Sequence, residues 1–129
     1  MKRRTYIKAM LAGASAGVLA GAETQRPIEL HVDLSVDPAK EQEMLHNFRT
    51  IFRPPARKQP GFIDVKMLKL RSVLQGNLAA SVNYRFVLTF ATEEQRKQWV
   101  ATATHKRVWP TVENTLKTKD YTVILYDET

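Results

Sequence analysis

The chain contains no cysteine. Disulfides, thiol nucleophiles and thiolate metal sites are therefore excluded, and stability has to come from packing or from association between subunits. Histidine is scarce: His31, His46 and His105 lie on separate elements, with no His-x-His or His-x-x-x-His pair to chelate an ion, so no resident metal is expected. Beyond residue 22 the only glycines are Gly61 and Gly76, which leaves neither a Gly-rich phosphate loop nor a nucleophile elbow. A membrane-spanning run is also missing. The apolar stretch from Ala9 to Ala20 is 12 residues long and broken by Gly and Ser, short of the roughly 20 residues that a spanning helix requires.

That stretch belongs to an N-terminal targeting pattern. Lys2, Arg3, Arg4 and Lys8 form a basic region, the apolar run follows, and Ala20-Gly21-Ala22 fits a small-x-small cleavage site. Lys2-Arg3-Arg4-Thr5-Tyr6-Ile7-Lys8 resembles a twin-arginine export signal. Residues 1–22 are therefore expected to be an export signal, residues 23–129 a single domain, and the protein periplasmic or secreted. Export changes the charge balance. The whole chain carries +7, but four of its 20 basic residues lie in the signal and all 13 acidic residues lie beyond it, leaving 16 against 13. Such a small excess gives no nucleic-acid signature. Arg49, Arg53, Arg57 and Lys58 cluster where a first helix should end, a position in which cations complement the helix dipole.

From Ile28 to Val36 apolar residues alternate with Glu29, His31, Asp33 and Ser35, as in a strand with one covered face. Asp37-Pro38 supplies a helix cap and a first-turn proline, and Met44, Leu45, Phe48, Ile51 and Phe52 share one arc of the helix that follows. His46 lies on the opposite side of this helix. Arg53-Pro54-Pro55 should end it. A turn at Gln59-Pro60-Gly61 opens a second strand, Phe62 to Leu70, in which Ile63, Val65 and Met67 oppose Phe62, Leu68 and Leu70. Ser72 to Asn83 reads as a long connection, either a plain hairpin extension or a binding loop or oligomer contact.

Tyr84, Phe86, Leu88 and Phe90 then mark a third strand, and Thr92 with Gln95 has capping-box spacing, so a second helix begins at about Glu93. Trp99, Val100 and Ala103 fall on one arc of that helix and Val108, Trp109, Val112 and Leu116 on another. The helix must therefore bend or restart near His105, and Pro110 should open the new segment. Tyr121 to Tyr126 completes a β-α-β-β-α-β order. This is the antiparallel α+β plan of ferredoxin-like folds, whose second sheet face needs a cover, most simply a second copy of the chain.

With these pieces in place, the sequence resembles the antibiotic biosynthesis monooxygenase-like group of the dimeric α+β barrel superfamily. The resemblance rests on strand one running into Asp37-Pro38-Ala39-Lys40-Glu41, on the Gln59-Pro60-Gly61-Phe62 turn, and on Phe90-Ala91-Thr92-Glu93-Glu94 leading to Trp99 and His105. It implies a homodimer with a shared barrel and a ligand pocket between helices and sheet. In some members it also implies oxygenation of electron-rich aromatics without metal or flavin. Haem-degrading members of the superfamily use a strand-one Asn, a helix Trp and a later His. Here Trp99 matches the Trp, Trp109 stands where that His would be, and strand one has no Asn, so haem is not the expected cofactor.

Cofactor-free oxygenation needs a base that deprotonates a phenol or enol and a pocket that holds the anion. His105, at the helix break, is the candidate base, and a His that merely packs at a bend is the competing role. Trp99, Trp109 and Tyr84 are candidates for an aromatic slot that binds substrate, with core packing as the alternative. His31 shares its strand face with Glu29 and Asp33, as a His-carboxylate pair or a polar seam between subunits. The expected function is a monooxygenase acting on a small aromatic or quinol substrate. A non-catalytic dimeric module holding an apolar ligand in the same pocket is the alternative.

Overall fold

The alternation of apolar and polar residues is carried through into one four-stranded antiparallel sheet: β1 (Ile28–Leu34), β2 (Phe62–Lys69), β3 (Tyr84–Phe90) and β4 (Thr122–Asp127), in the order β2-β3-β1-β4. The structure, a computed structural model, describes residues 26–129, so the expected export signal lies outside the described residues. In the β1–β3 register Ile28 meets Phe90, Leu30 meets Leu88, Val32 meets Phe86 and Leu34 meets Tyr84. Cross-strand partners share a face, so this pairing gathers eight apolar side chains on one side of the two central strands. β1 ends at Leu34, two residues before the alternation does, and Val36 makes an isolated bridge to Leu116 instead.

β2 departs from the expected alternation. A bulge between Phe62 and Asp64 inserts Ile63 as an extra residue. Phe62, Val65 and Met67 consequently point toward the helices, while Ile63 is left half exposed. The turn before β2 needs its glycine. Gly61 has φ +83°, and a Cβ there would collide with the Gln95 side chain.

The helices cover the apolar face. Asp37 accepts a hydrogen bond from the Ala39 N–H at 3.0 Å and starts a short 3-10 turn, Pro38–Lys40, which leads into α1 (Glu41–Asn47). The prolines do not end this helix. A π turn at Phe48–Phe52 is followed by α2 (Arg53–Arg57), so Pro54 falls in the opening turn of a new helical segment, where its missing N–H is least costly. The wider turn also shifts the helical phase. Met44, Phe48 and Phe52 are buried, but Ile51, expected on the same arc, is exposed. His46 is exposed, as its position on the helix requires.

The second helical region is broken where the two apolar arcs disagree. α3 (Glu93–Ala101) is capped by Thr92, whose hydroxyl oxygen accepts from the Gln95 N–H at 3.1 Å. Thr102 is extended (φ −70°, ψ 151°) and separates α3 from α4 (Ala103–Glu113). The break thus lies three residues before His105. Thr102 accepts the His105 N–H at 3.0 Å and donates its hydroxyl to the Trp99 carbonyl at 2.7 Å. Pro110 sits inside α4 and does not open it, and Ala103 is exposed although it was expected beside Trp99.

The core between sheet and helices centres on Trp99, Phe52, Phe90, Leu34 and Met44, all nearly inaccessible. Each such side chain contributes about 1.5–3 kcal/mol by leaving water. Among the described residues no helix covers the opposite sheet face. That face carries Glu29, His31, Asp33 and Arg85, with Ile124 and Tyr126 beside them on β4. The 72–83 connection has no helix or strand of its own. Its return is anchored by Asn83, whose side chain accepts from the Val36 N–H at 2.8 Å and donates to the Val36 carbonyl at 2.9 Å.

Candidate functional site

Breaking the second helix at Thr102 turns the first residues of α4 toward the sheet. His105 and Trp109, one helical turn apart, thereby face Leu30 and Val32 of β1 and Phe86 and Leu88 of β3 across a cavity of about 130 Å³. Phe52 closes the cavity on the α1–α2 side, and Val100, Val123 and Tyr121 line it toward solvent. A cavity of about 150 Å³ in another protein is large enough to hold benzene, so this space suits one aromatic ring.

The His105 ring is half-buried and framed by aromatics. Trp99 stands perpendicular to it with centroids 5.0 Å apart, Phe52 crosses it at 6.1 Å, and Trp109 lies nearly parallel at 6.5 Å. Among the described residues, no group hydrogen-bonds to its ring nitrogens, although its backbone N–H is held by Thr102. Burial pushes the imidazole below its ordinary value of 6.5, and the nearby Arg96 guanidinium pushes the same way. The chemical result is a neutral imidazole at neutral pH, with a nitrogen free to take or give a proton at an apolar wall.

The other sequence candidates are distributed unevenly. Trp109 is in the cavity wall with His105. Trp99 lies behind His105, 1% exposed, and its indole N–H is buried with no hydrogen-bond partner. Tyr84 and His31 are elsewhere. Tyr84 lines a separate recess of about 300 Å³ beside the 72–83 connection. Its hydroxyl donates to Glu41 at 2.5 Å, and burial followed by that carboxylate pushes its pKa up to about 12. Of the charged side chains at this larger recess, Lys69 pairs with Glu41 at 2.7 Å and Arg85 with Asp33 at 2.8 Å, while Arg71 has no ion-pair partner among the described residues. His31 is on the uncovered sheet face. Its Nε2 meets Glu29 at 2.9 Å, and its ring contacts Tyr126 edge-on at 4.9 Å.

Two residues of the cavity region were missed in the sequence. Tyr121 looks like the first residue of strand four, yet it precedes β4 and turns its ring into the cavity. Its hydroxyl donates to Glu113 at 2.7 Å and accepts from the Trp109 indole N–H at 3.2 Å. Burial raises the Tyr121 pKa first, and the Glu113 carboxylate adds to it. A sequence signal for part of this existed: His105, Trp109 and Glu113 are spaced i, i+4, i+8 and so form one stripe along a helix.

No protein-family model matches the chain, and no curated protein does. Solved structures do match. A candidate antibiotic biosynthesis monooxygenase from Caulobacter crescentus superimposes with a TM-score of 0.64 at 19% identity, over 81% of this chain and 92% of that one. A second candidate antibiotic biosynthesis monooxygenase, from Bordetella bronchiseptica, gives 0.65 at 15% identity over 81% and 99%. A dimeric ferredoxin-like protein of unknown function from Jannaschia gives 0.63 at 16% identity over 80% and 98%. At such identities the likeness is one of fold, and the chain has the antiparallel α+β ferredoxin-like fold of these proteins.

Proposed function

We propose that the chain is an exported, homodimeric monooxygenase of the antibiotic biosynthesis monooxygenase-like group, acting without metal or flavin on a small one-ring aromatic or quinol substrate. The observation that carries this reading is His105: a half-buried imidazole held neutral, its ring nitrogens free of protein hydrogen bonds, on the wall of an apolar cavity sized for one ring. The names of two structural neighbours agree with it.

Proton removal is the protein's part of the chemistry. A ring hydroxyl gives its proton to a His105 nitrogen, and the resulting phenolate is a stronger electron donor than the phenol. Electrons pass from the phenolate to dioxygen, a carbon–oxygen bond forms at the ring, and the second oxygen atom leaves as water. A hydroquinone and dioxygen thus give a hydroxyquinone and water, with every electron supplied by the substrate. The apolar walls formed by Phe52, Phe86 and Leu88 keep solvent from quenching the intermediates.

The dimer is supported by the uncovered sheet face, where Leu68 is 45%, Ile124 38% and Tyr126 49% exposed beside paired charges. A face of that composition suits a second copy better than water. The export route rests on the basic, apolar and small-residue pattern of residues 1–22.

Oxygen uptake tests the activity. The purified protein in chelator-treated buffer is expected to consume dioxygen with hydroquinones, and His105→Ala to slow that uptake by about 10²–10⁴-fold. Uptake unchanged by the substitution would remove His105 as the base. No uptake on any phenol, hydroquinone, naphthol or anthrone would leave the second reading, a ligand-binding module, which the apolar lining of the cavity favours.

A further inference from the structure

Tyr121 shares the lining of the cavity with His105. His105 is in the first turn of α4 and Glu113 closes its last, eight residues on, a rise of about 12 Å along the helix axis. The Tyr121 hydroxyl touches Trp109 and Glu113, so it stands toward the far end of the stripe from His105. Between the two, the wall is the Trp109 ring, with centroids 6.5 Å from His105 and 6.3 Å from Tyr121. His105 and Tyr121 thus flank the Trp109 ring on the cavity wall, an arrangement in which one ring can turn a hydroxyl toward each.

The hydrogen bonds of Tyr121 decide what it can recognise. Its one proton is given to Glu113, and one lone pair takes the Trp109 N–H. What remains for a ligand is an acceptor. Trp109 has spent its only donor on Tyr121, so it offers the ligand its ring alone. The two partners thus fix the polarity of Tyr121, and the pair works as a device that accepts an O–H and rejects an ether or carbonyl oxygen.

We infer that Tyr121, oriented by Glu113 and Trp109, is a specificity-determining contact that accepts a hydrogen bond from a ring hydroxyl para to the one that reaches His105. The site accordingly selects reduced para-dihydroxybenzenes over their ethers. This rests on the cavity being the ligand site, as proposed above, but it does not require turnover.

Binding measured without dioxygen separates the two. Hydroquinone and para-methoxyphenol are titrated anaerobically into the purified protein, with quenching of Trp fluorescence or calorimetry as the readout. Loss of one neutral hydrogen bond, with an acceptor left facing an ether oxygen, makes hydroquinone the tighter ligand by roughly fivefold to tenfold. Tyr121→Phe is expected to erase that preference while para-methoxyphenol binds as well as before or better, a result that misfolding would not produce. Glu113→Ala frees the Tyr121 proton, and the preference is expected to narrow because the ether oxygen now finds a donor. A preference that survives Tyr121→Phe overturns the inference, as does failure of both ligands to bind the wild-type protein. Discrimination without oxygen uptake would leave the inference standing and remove the oxygenase; uptake with no role for Tyr121 would do the reverse.

Discussion

The two faces of the same sheet are built to different standards. On one, Tyr84, Phe86, Leu88 and Phe90 are 3%, 2%, 2% and 0% exposed under the helices. On the other, alternate residues of the same strands form Arg85–Asp33 and His31–Glu29 pairs, and neighbouring β4 is exposed along its whole length. On β1 a one-residue step changes which physics applies, whereas on β3 Val87 and Thr89 of the second face are also buried, at 4% and 7%. The helix face gains from apolar burial and holds a cavity whose few polar atoms are conspicuous. The open face holds an Arg85–Asp33 ion pair, of a kind worth about 0–1 kcal/mol where exposed, and a His31–Glu29 hydrogen bond.

The largest test of this contrast is His105→Ala, which should lower oxygen uptake by about 10²–10⁴-fold, the usual contribution of a general base, with the circular dichroism spectrum unchanged. Next is Phe52→Ala. That ring lies 5.4 Å from Phe86 and 5.8 Å from both Trp99 and Trp109, so its loss should cost about 3–5 kcal/mol in denaturant unfolding. The open face should respond in another way. Ile124→Asp is expected to change the stability of one subunit by no more than about 0.5 kcal/mol, yet to convert dimer to monomer in sedimentation. A variant that stays dimeric would mean that something other than a second copy covers this face.

Smaller effects follow from the helix break and from pH. Thr102→Ala removes the cap that holds the His105 N–H and should cost about 1 kcal/mol, with kcat falling more than KM rises because the base is displaced. Burial holds the folded His105 below its ordinary 6.5. Protonation therefore favours the unfolded chain first, and stability should decline as pH drops from 6.5 toward the folded value. In rate measurements, the acid limb of kcat should lie below pH 6.5 and vanish in His105→Ala.

The parts of the fold legible in the sequence are those governed by local period and capping. The alternation at Ile28 to Leu34 and Tyr84 to Phe90, the Asp37 and Thr92 caps and the conflict between two helical arcs each rest on neighbours within a turn or two of chain. The misplaced details have non-local causes. The π turn that carries the first helix past Pro54, and the bulge that turns Ile63 outward, answer to packing against other elements, which no short window contains.

The same division holds for the site. Sequence alone determined that no thiol is present, that a helix must break close to His105, and that one strand face is apolar and its reverse charged, because composition and period are properties of the chain itself. Only the tertiary structure decided which of the named aromatics meet. It put His105 and Trp109 on one cavity, set Tyr84 and His31 apart from it, and brought Tyr121 back against Trp109 and Glu113. Those juxtapositions depend on strand register and on the angle at which α4 crosses the sheet, quantities fixed by the packing of the whole core and by no single stretch of it.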